Sequence, residues 1–361
     1  MKKLLSFLTF SVFALASVSC SSRIVPSANI NTETEKIEEN TIPIGELTVP
    51  PTEAPTEPTP VEITINFMGD CTLGTQHGAD TPGRFNATAD AQPAHYFFDG
   101  VREILEEGTF NITNCEGVLS DGPVTEAFKD YDPAFWFKSS AKNAKVFSEN
   151  GIDLVGIANN HINDYNAQGR LDTIGALENN GVLWCDNTND VVLEYEGIRI
   201  AVFCTTLWHP DAPNGICSRI TEASANTDLQ IVFFHGGTEY IHSPDSYKVQ
   251  YAHSFVDAGA DLVIGSHPHV LQPIEVYNGV NIVYSIGNFV YGGNSRPENR
   301  TVVYQHKFTF DDKVLVDSSE EVFPCYIYTG DVNEYQPTLI DDPEDKQLVL
   351  DFMYGKADSP L

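Results

Sequence analysis

Positive charge is what this chain is short of. In 361 residues, 20 Lys and Arg face 51 Asp and Glu, a formal net charge of −31. The acidic excess runs through the body of the chain as well as its N-terminal tail. Such a surface repels nucleic acid and anionic headgroups, which excludes both as partners held by bulk electrostatics. An anionic substrate needs local positive charge, and a bound metal ion is the obvious source. The chain also lacks an apolar run long enough to span a bilayer, since Leu4 to Ala16 is too short. It shows no internal repeat, and its cysteines are scattered with no Cys-x-x-Cys spacing. A hydrophobic content of 42% with 20% charged residues describes a globular chain. The length suits one large α/β domain or two smaller ones.

The N-terminus reads as an export signal. Lys2 and Lys3 form its positive region, residues 4–16 its apolar region, and Ser17-Val18-Ser19-Cys20 its end. Small residues before a cysteine resemble a bacterial lipoprotein processing site over 1–20, with Cys20 lipidated; the plainer alternative is a secretory signal with an incidental cysteine. Residues 21–60 are rich in Pro, Thr and Glu and cannot bury a core, so they are expected to form a disordered tether. The layout places the folded domain, 61–361, outside the cell and lipid-anchored to the membrane. Export permits disulfides among Cys71, Cys115, Cys185, Cys204, Cys217 and Cys325, but spacing does not give their connectivity. Cys71 and Cys115 flank two candidate ligands and are open to three readings: spare soft ligands, a disulfide, or small semi-buried residues, the last being preferred.

From residue 61, Ile63, Ile65 and Phe67 alternate with polar residues, the period of a strand. Helices are expected over 98–107, 140–150, 167–180 and 247–258, the third with Leu171, Ile174 and Leu177 facing inward. Strands are expected over 152–158, 229–234, 261–265, 281–286 and 302–310, and a hairpin around Glu196-Gly197. Strand and helix alternate through the middle of the chain. That pattern gives an α/β fold with a mixed sheet, or two sheets packed between helices.

The chemistry sits at the strand ends. Val263-Ile264-Gly265-Ser266 stops at His267-Pro268-His269, two imidazoles on one turn. Other apolar runs end on Asp70, on Glu116, on Asn160 and His161, and on His235. Strands of α/β sheets present sites at their C-terminal ends, so these residues are expected to assemble as one metal centre. Gly69 is expected to let the chain turn beside Asp70, and Glu116 could bridge two cations. Asn159-Asn160-His161 places three polar side chains after an apolar strand, where they need partners. His161 is either a ligand or a general acid, with Asp164 three residues on to fix its tautomer. Mixed nitrogen and oxygen donors without thiolate suit Mn²⁺, Fe²⁺ or Zn²⁺, and two such ions would make hydroxide available at neutral pH.

These motifs resemble the CapA-like bacterial capsule-synthesis family, named for poly-γ-glutamate capsule and itself similar to calcineurin-like metallophosphoesterases. The resemblance covers residues 62–293. It rests on Met68-Gly69-Asp70-x-x-Leu73-Gly74, Asn114-Cys115-Glu116-Gly117, Ala158-Asn159-Asn160-His161-x-x-Asp164-Tyr165, His235-Gly236-Gly237-x-Glu239-Tyr240, Gly265-Ser266-His267-Pro268-His269-Val270-Leu271-Gln272-Pro273 and Ser285-Ile286-Gly287-Asn288-Phe289. It implies a four-layer αββα sandwich with mixed sheets and a site at one edge. It implies metal ligands at Asp70, Glu116, Asn160, His235, His267 and His269, and an acid at His161. Arg84, Glu239 and Asn288 are candidate substrate-binding residues. The chain departs from the pattern at Thr72, where metallophosphoesterases have a histidine, and at Thr75, where the capsule family often has an arginine that Arg84 could replace. It also departs at Gly236, the position of the family's usual tryptophan, which would open the site.

The expected function is a metal-dependent, phosphoesterase-like hydrolase of capsule or envelope-polymer biosynthesis with two divalent ions. Its substrate would be an anionic envelope polymer or a phosphoester, and its companions membrane capsule-synthesis subunits. The alternative is a non-catalytic subunit that handles or exports the polymer on the same fold.

Overall fold

The computed structural model describes residues 60–76, 84–208, 215–291 and 299–361. The signal, Cys20 and the tether up to residue 59 fall outside them. In chain order the strands are β1 (Val61–Cys71), β2 (Thr75–Gln76), β3 (Phe110–Cys115), β4 (Val118–Leu119), β5 (Phe137–Ser139), β6 (Leu154–Gly156), β7 (Leu183–Cys185) and β8 (Val191–Tyr195). They continue as β9 (Ile198–Leu207), β10 (Leu229–Gly236), β11 (Leu262–Ser266), β12 (Leu271–Tyr277), β13 (Val280–Ile286), β14 (Thr301–Asp311), β15 (Val314–Tyr326) and β16 (Thr338–Leu339). The helices are α1 (Phe85–Ala91), α2 (Arg102–Glu107), α3 (Lys145–Ser148), α4 (Asn166–Asn179), α5 (Ile216–Ala223), α6 (Ser246–Asp257) and α7 (Pro343–Met353).

Two mixed sheets carry the architecture. One has seven strands in the order β16-β15-β14-β1-β3-β6-β7, the other six in the order β12-β13-β11-β10-β9-β8. Their facing sides share one core. Ile65 and Phe67 of β1, Ile112 of β3 and Leu154 of β6 pack with Val202 of β9, Ile231 and Phe233 of β10 and Ile264 of β11. The outer face of the seven-stranded sheet packs on Phe98, Leu105, Phe147 and Leu177 from helical segments. The outer face of the six-stranded sheet packs on Ile216 and Ile220 of α5 and on Ala252 and Phe255 of α6. Helix, sheet, sheet and helix thus stack as four layers, the αββα sandwich expected. Burial on both faces explains why strands such as β10 read as unbroken apolar runs rather than alternating ones.

Strand direction positions the site. β1, β3 and β6 run parallel in the first sheet, and β9, β10, β11 and β13 run parallel in the second. The C-terminal ends of the two sheets meet where Asp70 bridges Asn288, with Asp70 N donating to Gly287 O at 3.0 Å and Phe289 N to Asp70 O at 2.9 Å. The sheets touch there through backbone: a Cβ on Gly69 would lie 2.0 Å from Gly287 O. Gly69 is therefore required by close approach inside β1, not by the turn expected there.

Several elements differ from expectation. Over 98–107 the chain starts as a 3₁₀ turn, Ala94–Val101, and only then becomes α2. Over 140–150 it is likewise 3₁₀ (Ala141–Ala144) followed by α3. On α4, Leu171 is 57% exposed; the buried face is Leu177, as expected, together with the smaller Gly169, Thr173 and Ala176, which let the helix lie close to its neighbours. The long strand β15 and helix α7 were not read from the sequence. Most of β15 is solvent-exposed, so apolar periodicity does not mark it. Asp342 caps α7 by accepting from Glu344 N and Asp345 N, with Pro343 at its first turn.

Candidate metal centre

Each expected ligand lies at or just beyond a strand end. Asp70 closes β1, Glu116 follows β3, and Asn160 and His161 follow β6. From the other sheet come His235 on β10 and His267 and His269 after β11. Asp70, Glu116, His235, His267 and His269 are all buried. Three groups of side chains bring ligand atoms within 4.8 Å of one another: Glu116 with His235 and His267, Asp70 with Glu116 and His269, and Glu239 with His267 and His269.

The donors form an arrangement that protein atoms alone leave unsatisfied. Both carboxyl oxygens of Glu116 are buried and lack a hydrogen-bond partner. Oε1 lies 3.5 Å from His235 Nε2 and 3.9 Å from both His161 Nε2 and His269 Nε2, too far for hydrogen bonds. His235 Nε2 also faces Asn160 Oδ1 at 2.8 Å and His267 Nδ1 at 3.1 Å. Ligand atoms thus converge around a carboxylate left without hydrogen bonds, at a cost a divalent cation would remove. The residues fit a metal, and Glu116 is common to two of the groups, as a bridging ligand must be.

A surrounding set of groups aims these donors. His235 Nδ1 is 2.9 Å from Ser266 Oγ and 3.2 Å from Asn114 Nδ2. Asn114 Nδ2 also donates to Asp70 Oδ1 at 2.8 Å, and Asn159 Nδ2 donates to Asn114 Oδ1 at 3.1 Å. His269 Nδ1 meets Asn288 Oδ1 at 2.8 Å, which leaves Nε2 toward Glu116. Asn288 therefore orients His269. Asp70 Oδ2 accepts from His267 N at 3.1 Å and so holds the His-Pro-His turn. That turn is strained, with φ of +99° at His267 and +58° at His269; non-glycine residues held this way cluster at functional sites and cost about 1–3 kcal/mol each.

The charges agree with the geometry. Burial resists charging His269, but Glu116 and Asp70 beside it prevail and raise its pKa to about 9. His235 is raised in the same way, with Glu116 and Asp70 overcoming burial. Burial works against ionising Asp70, yet the His235 and His269 rings beside it, at 3.6 Å and 3.3 Å, hold it well below the usual carboxylate range. Burial, and then the neighbouring charges of His235 and His269, keep His267 neutral.

His161 stands beside the donors. Its Nδ1 is 2.8 Å from Asp164 Oδ2, and its ring meets Phe137 edge-on at 4.6 Å. Asp164 also accepts from Phe137 N at 2.8 Å and from Lys129 Nζ at 2.6 Å. Lys129, which sequence reasoning missed, comes from the connection between β4 and β5, where nothing in the spacing marks it. Trp208 was missed too. Its ring lies 4.8 Å from His267 and 6.2 Å from His235, so the flank expected to be open is walled by an aromatic from the end of β9. At Gly236 no side chain fits, because a Cβ would lie 2.1 Å from Leu207 O. Tyr291 lies 4.9 Å from the His269 ring and adds to the wall.

Other expected residues lie apart. Arg84 is exposed at the start of α1 and makes no contact with the centre among the described residues. Thr72 is fully buried, with its hydroxyl lacking a partner. Cys71 and Cys115 are register neighbours on β1 and β3, both buried and free. Burial pushes the Cys71 thiol up to about 12 and raises Cys115 as well, so they are small core residues.

The family described as "Bacterial capsule synthesis protein PGA_cap" matches residues 64–292, well over half of the chain and all of the ligand-bearing strands. The chain belongs to this family. Among curated relatives, "Capsule biosynthesis protein CapA" of Bacillus anthracis is 29% identical over 327 residues, 81% of this chain and 74% of that protein. "PGA biosynthesis protein CapA" of Bacillus subtilis (strain 168) is 28% identical over 269 residues, 68% of this chain and 67% of that protein. As in the family motifs, Asp70, Glu116, Asn160, His235, His267 and His269 lie at or just beyond strand ends at one edge of the sandwich.

Proposed function

We propose that this protein serves capsule or envelope-polymer synthesis as a metal-dependent hydrolase with a binuclear centre, acting on a phosphoester or an anionic polymer. The polymer role is supported by membership of the capsule synthesis family and by the names of the two CapA relatives. The observation that carries the catalytic part is Glu116, with both oxygens buried, unpaired and ringed by imidazole nitrogens. Asp70, Glu116 and His269 would hold one divalent ion, and Glu116, Asn160, His235 and His267 the other. Bound there, the ions would supply Lewis acidity and a hydroxide nucleophile at neutral pH.

The chain's own residues do the rest. Asp164 fixes His161 through Nδ1, so that Nε2 presents the proton to the leaving oxygen. Phe137 packs against the imidazole, and Lys129 and Phe137 N hold Asp164 in place. Trp208 and Tyr291 keep water from two sides of the donors. Lys2, Lys3, the apolar stretch after them and Cys20 support an exported, lipid-anchored location. A second reading, a polymer-handling subunit without turnover, is favoured by Thr72, which supplies no nitrogen donor where metallophosphoesterases have one.

The test is elemental analysis of the purified full chain together with turnover of an aryl phosphodiester in Mn²⁺ or Zn²⁺. About two ions per chain and turnover that His161→Ala abolishes are expected. Two ions without turnover of any phosphoester would favour polymer handling, and a chain that binds no metal would sink the proposal.

A further inference from the structure

Glu239 is exposed, yet its carboxylate comes within 4.8 Å of ligand nitrogens on the two buried histidines His267 and His269. The chain on both sides of it is fixed. Gly237 sits at φ +118°, and a Cβ there would lie 3.3 Å from Asp245 Oδ2, from Lys248 Cδ and from Lys248 Nζ. Thr238 is tied twice to Asp245, which accepts from Thr238 N and from Thr238 Oγ1 at 2.8 Å each. On the other side, Tyr240 N donates to Pro268 O at 2.8 Å, joining this loop to the middle of the His-Pro-His turn. Tyr240 takes a left-handed φ of +61° to do so, and its ring lies 5.9 Å from that of His269. A lysine supports the loop from behind. Lys248 is fully buried and donates to Gln272 Oε1 at 2.7 Å, while Gln272 Nε2 donates to Ile241 O at 2.8 Å.

A glutamate on an unconstrained surface loop would not be held this way. The loop from His235 to Tyr240 is bound to the ligand turn at one end and buttressed at the other, so Glu239 keeps its place beside His267 and His269 before anything binds.

We infer that Glu239 is a further metal ligand of the centre, beside His267 and His269. This rests on the metal-centre reading above. A carboxylate oxygen added to the imidazole nitrogens makes the centre harder, so the ion it helps to hold should favour Mn²⁺ over Zn²⁺ more than histidines alone would.

Calorimetric titration of the chelator-treated full chain with Mn²⁺ tests this, comparing wild type, Glu239→Gln and Glu116→Gln. Glu239 is exposed, so its variant should fold and melt as wild type does. The expected result is two Mn²⁺ sites in wild type and, in Glu239→Gln, one site unchanged and the other weakened at least about tenfold. Glu239→Gln binding both ions with wild-type affinity overturns the inference, and a raised KM in that variant would then make Glu239 a substrate contact. The metal-centre reading fails separately: it falls if wild type takes up no Mn²⁺, or if Glu116→Gln binds as wild type does.

Discussion

Asp164 Oδ2 lies 2.8 Å from His161 Nδ1, and the same carboxyl group is gripped from the opposite side by Lys129 Nζ at 2.6 Å. His161 is thereby fixed by a partner that is itself fixed by a distant segment of chain. Two of the three residues share a tight turn after β6. The third arrives from the long connection between β4 and β5.

The acid assignment predicts a clean separation of chemistry from binding. His161→Ala should lower turnover by about 10²–10⁴-fold while keeping most of the metal. Asp164→Asn should cost about 10–100-fold, because an amide no longer holds Nδ1–H with a charge and so no longer supports the doubly protonated ring that donates from Nε2. Steady-state kinetics alongside metal analysis checks both, and normal turnover in His161→Ala would sink the assignment.

Proton release should accompany metal uptake. His269, raised to about 9, carries its proton at pH 7 and must lose it to become a ligand. His235, raised as well, adds a further fraction, whereas His267 is already neutral and Asp70 already ionised. Apparent metal affinity should therefore climb as pH rises from about 7 toward 9, by up to about tenfold per unit for each proton displaced. Titrations in buffers of different ionisation enthalpy read the proton count directly, and an affinity flat across that range would contradict the charge pattern.

The revised face of α4 gives a stability test. Leu177 is fully buried, and Leu177→Ala should cost about 2–5 kcal/mol. Leu171 is 57% exposed, and Leu171→Ala should change stability by no more than about 0.5 kcal/mol. Leu177 is inward on either reading, so chemical denaturation of Leu171→Ala, with Leu177→Ala as the reference, distinguishes the observed face from the one read by periodicity.

Asp261 offers a pH-dependent test away from the centre. Burial raises its pKa to about 6, against a hydrogen bond from Gln230 N at 2.8 Å that favours the charged form. Between about pH 4 and 6 the folded chain binds a proton that the unfolded chain does not, so this contribution is present at low pH and lost as pH rises through about 6. Asp261→Asn keeps an acceptor for Gln230 N and should stabilise the fold at pH 7 by about 1–3 kcal/mol, with no gain at pH 4. Thermal melts at the two pH values check it, and an equal shift at both would refute the assigned cause.

The candidate ligands were legible in the sequence because a buried strand ending on Asp, His or Asn breaks a strong apolar pattern at one point. Asp70, His235 and His267 are visible on that ground alone. What surrounds them is not. Lys129 and Trp208 reach the centre from loops whose spacing carries no period, and Asn114 sits within a strand and looks like an ordinary polar position. Leu171 misled because α4 rests on small residues, Gly169 and Ala176, rather than on its largest ones. The sandwich followed from strand and helix alternation and from family resemblance. β15 escaped because its exposed length has no buried face to pattern it.

The contact between Gly69 and Gly287 has a consequence for the centre above it. Asp70 and Glu116 ride on one sheet, and His235, His267 and His269 on the other. Their separation is therefore gauged by how closely the two sheets approach, and two bare backbones set that approach. The pair acts as the closed jaws of a caliper. A single methyl group placed on Gly69 would prise the jaws apart and widen every distance between the two halves of the ligand set without altering one ligand.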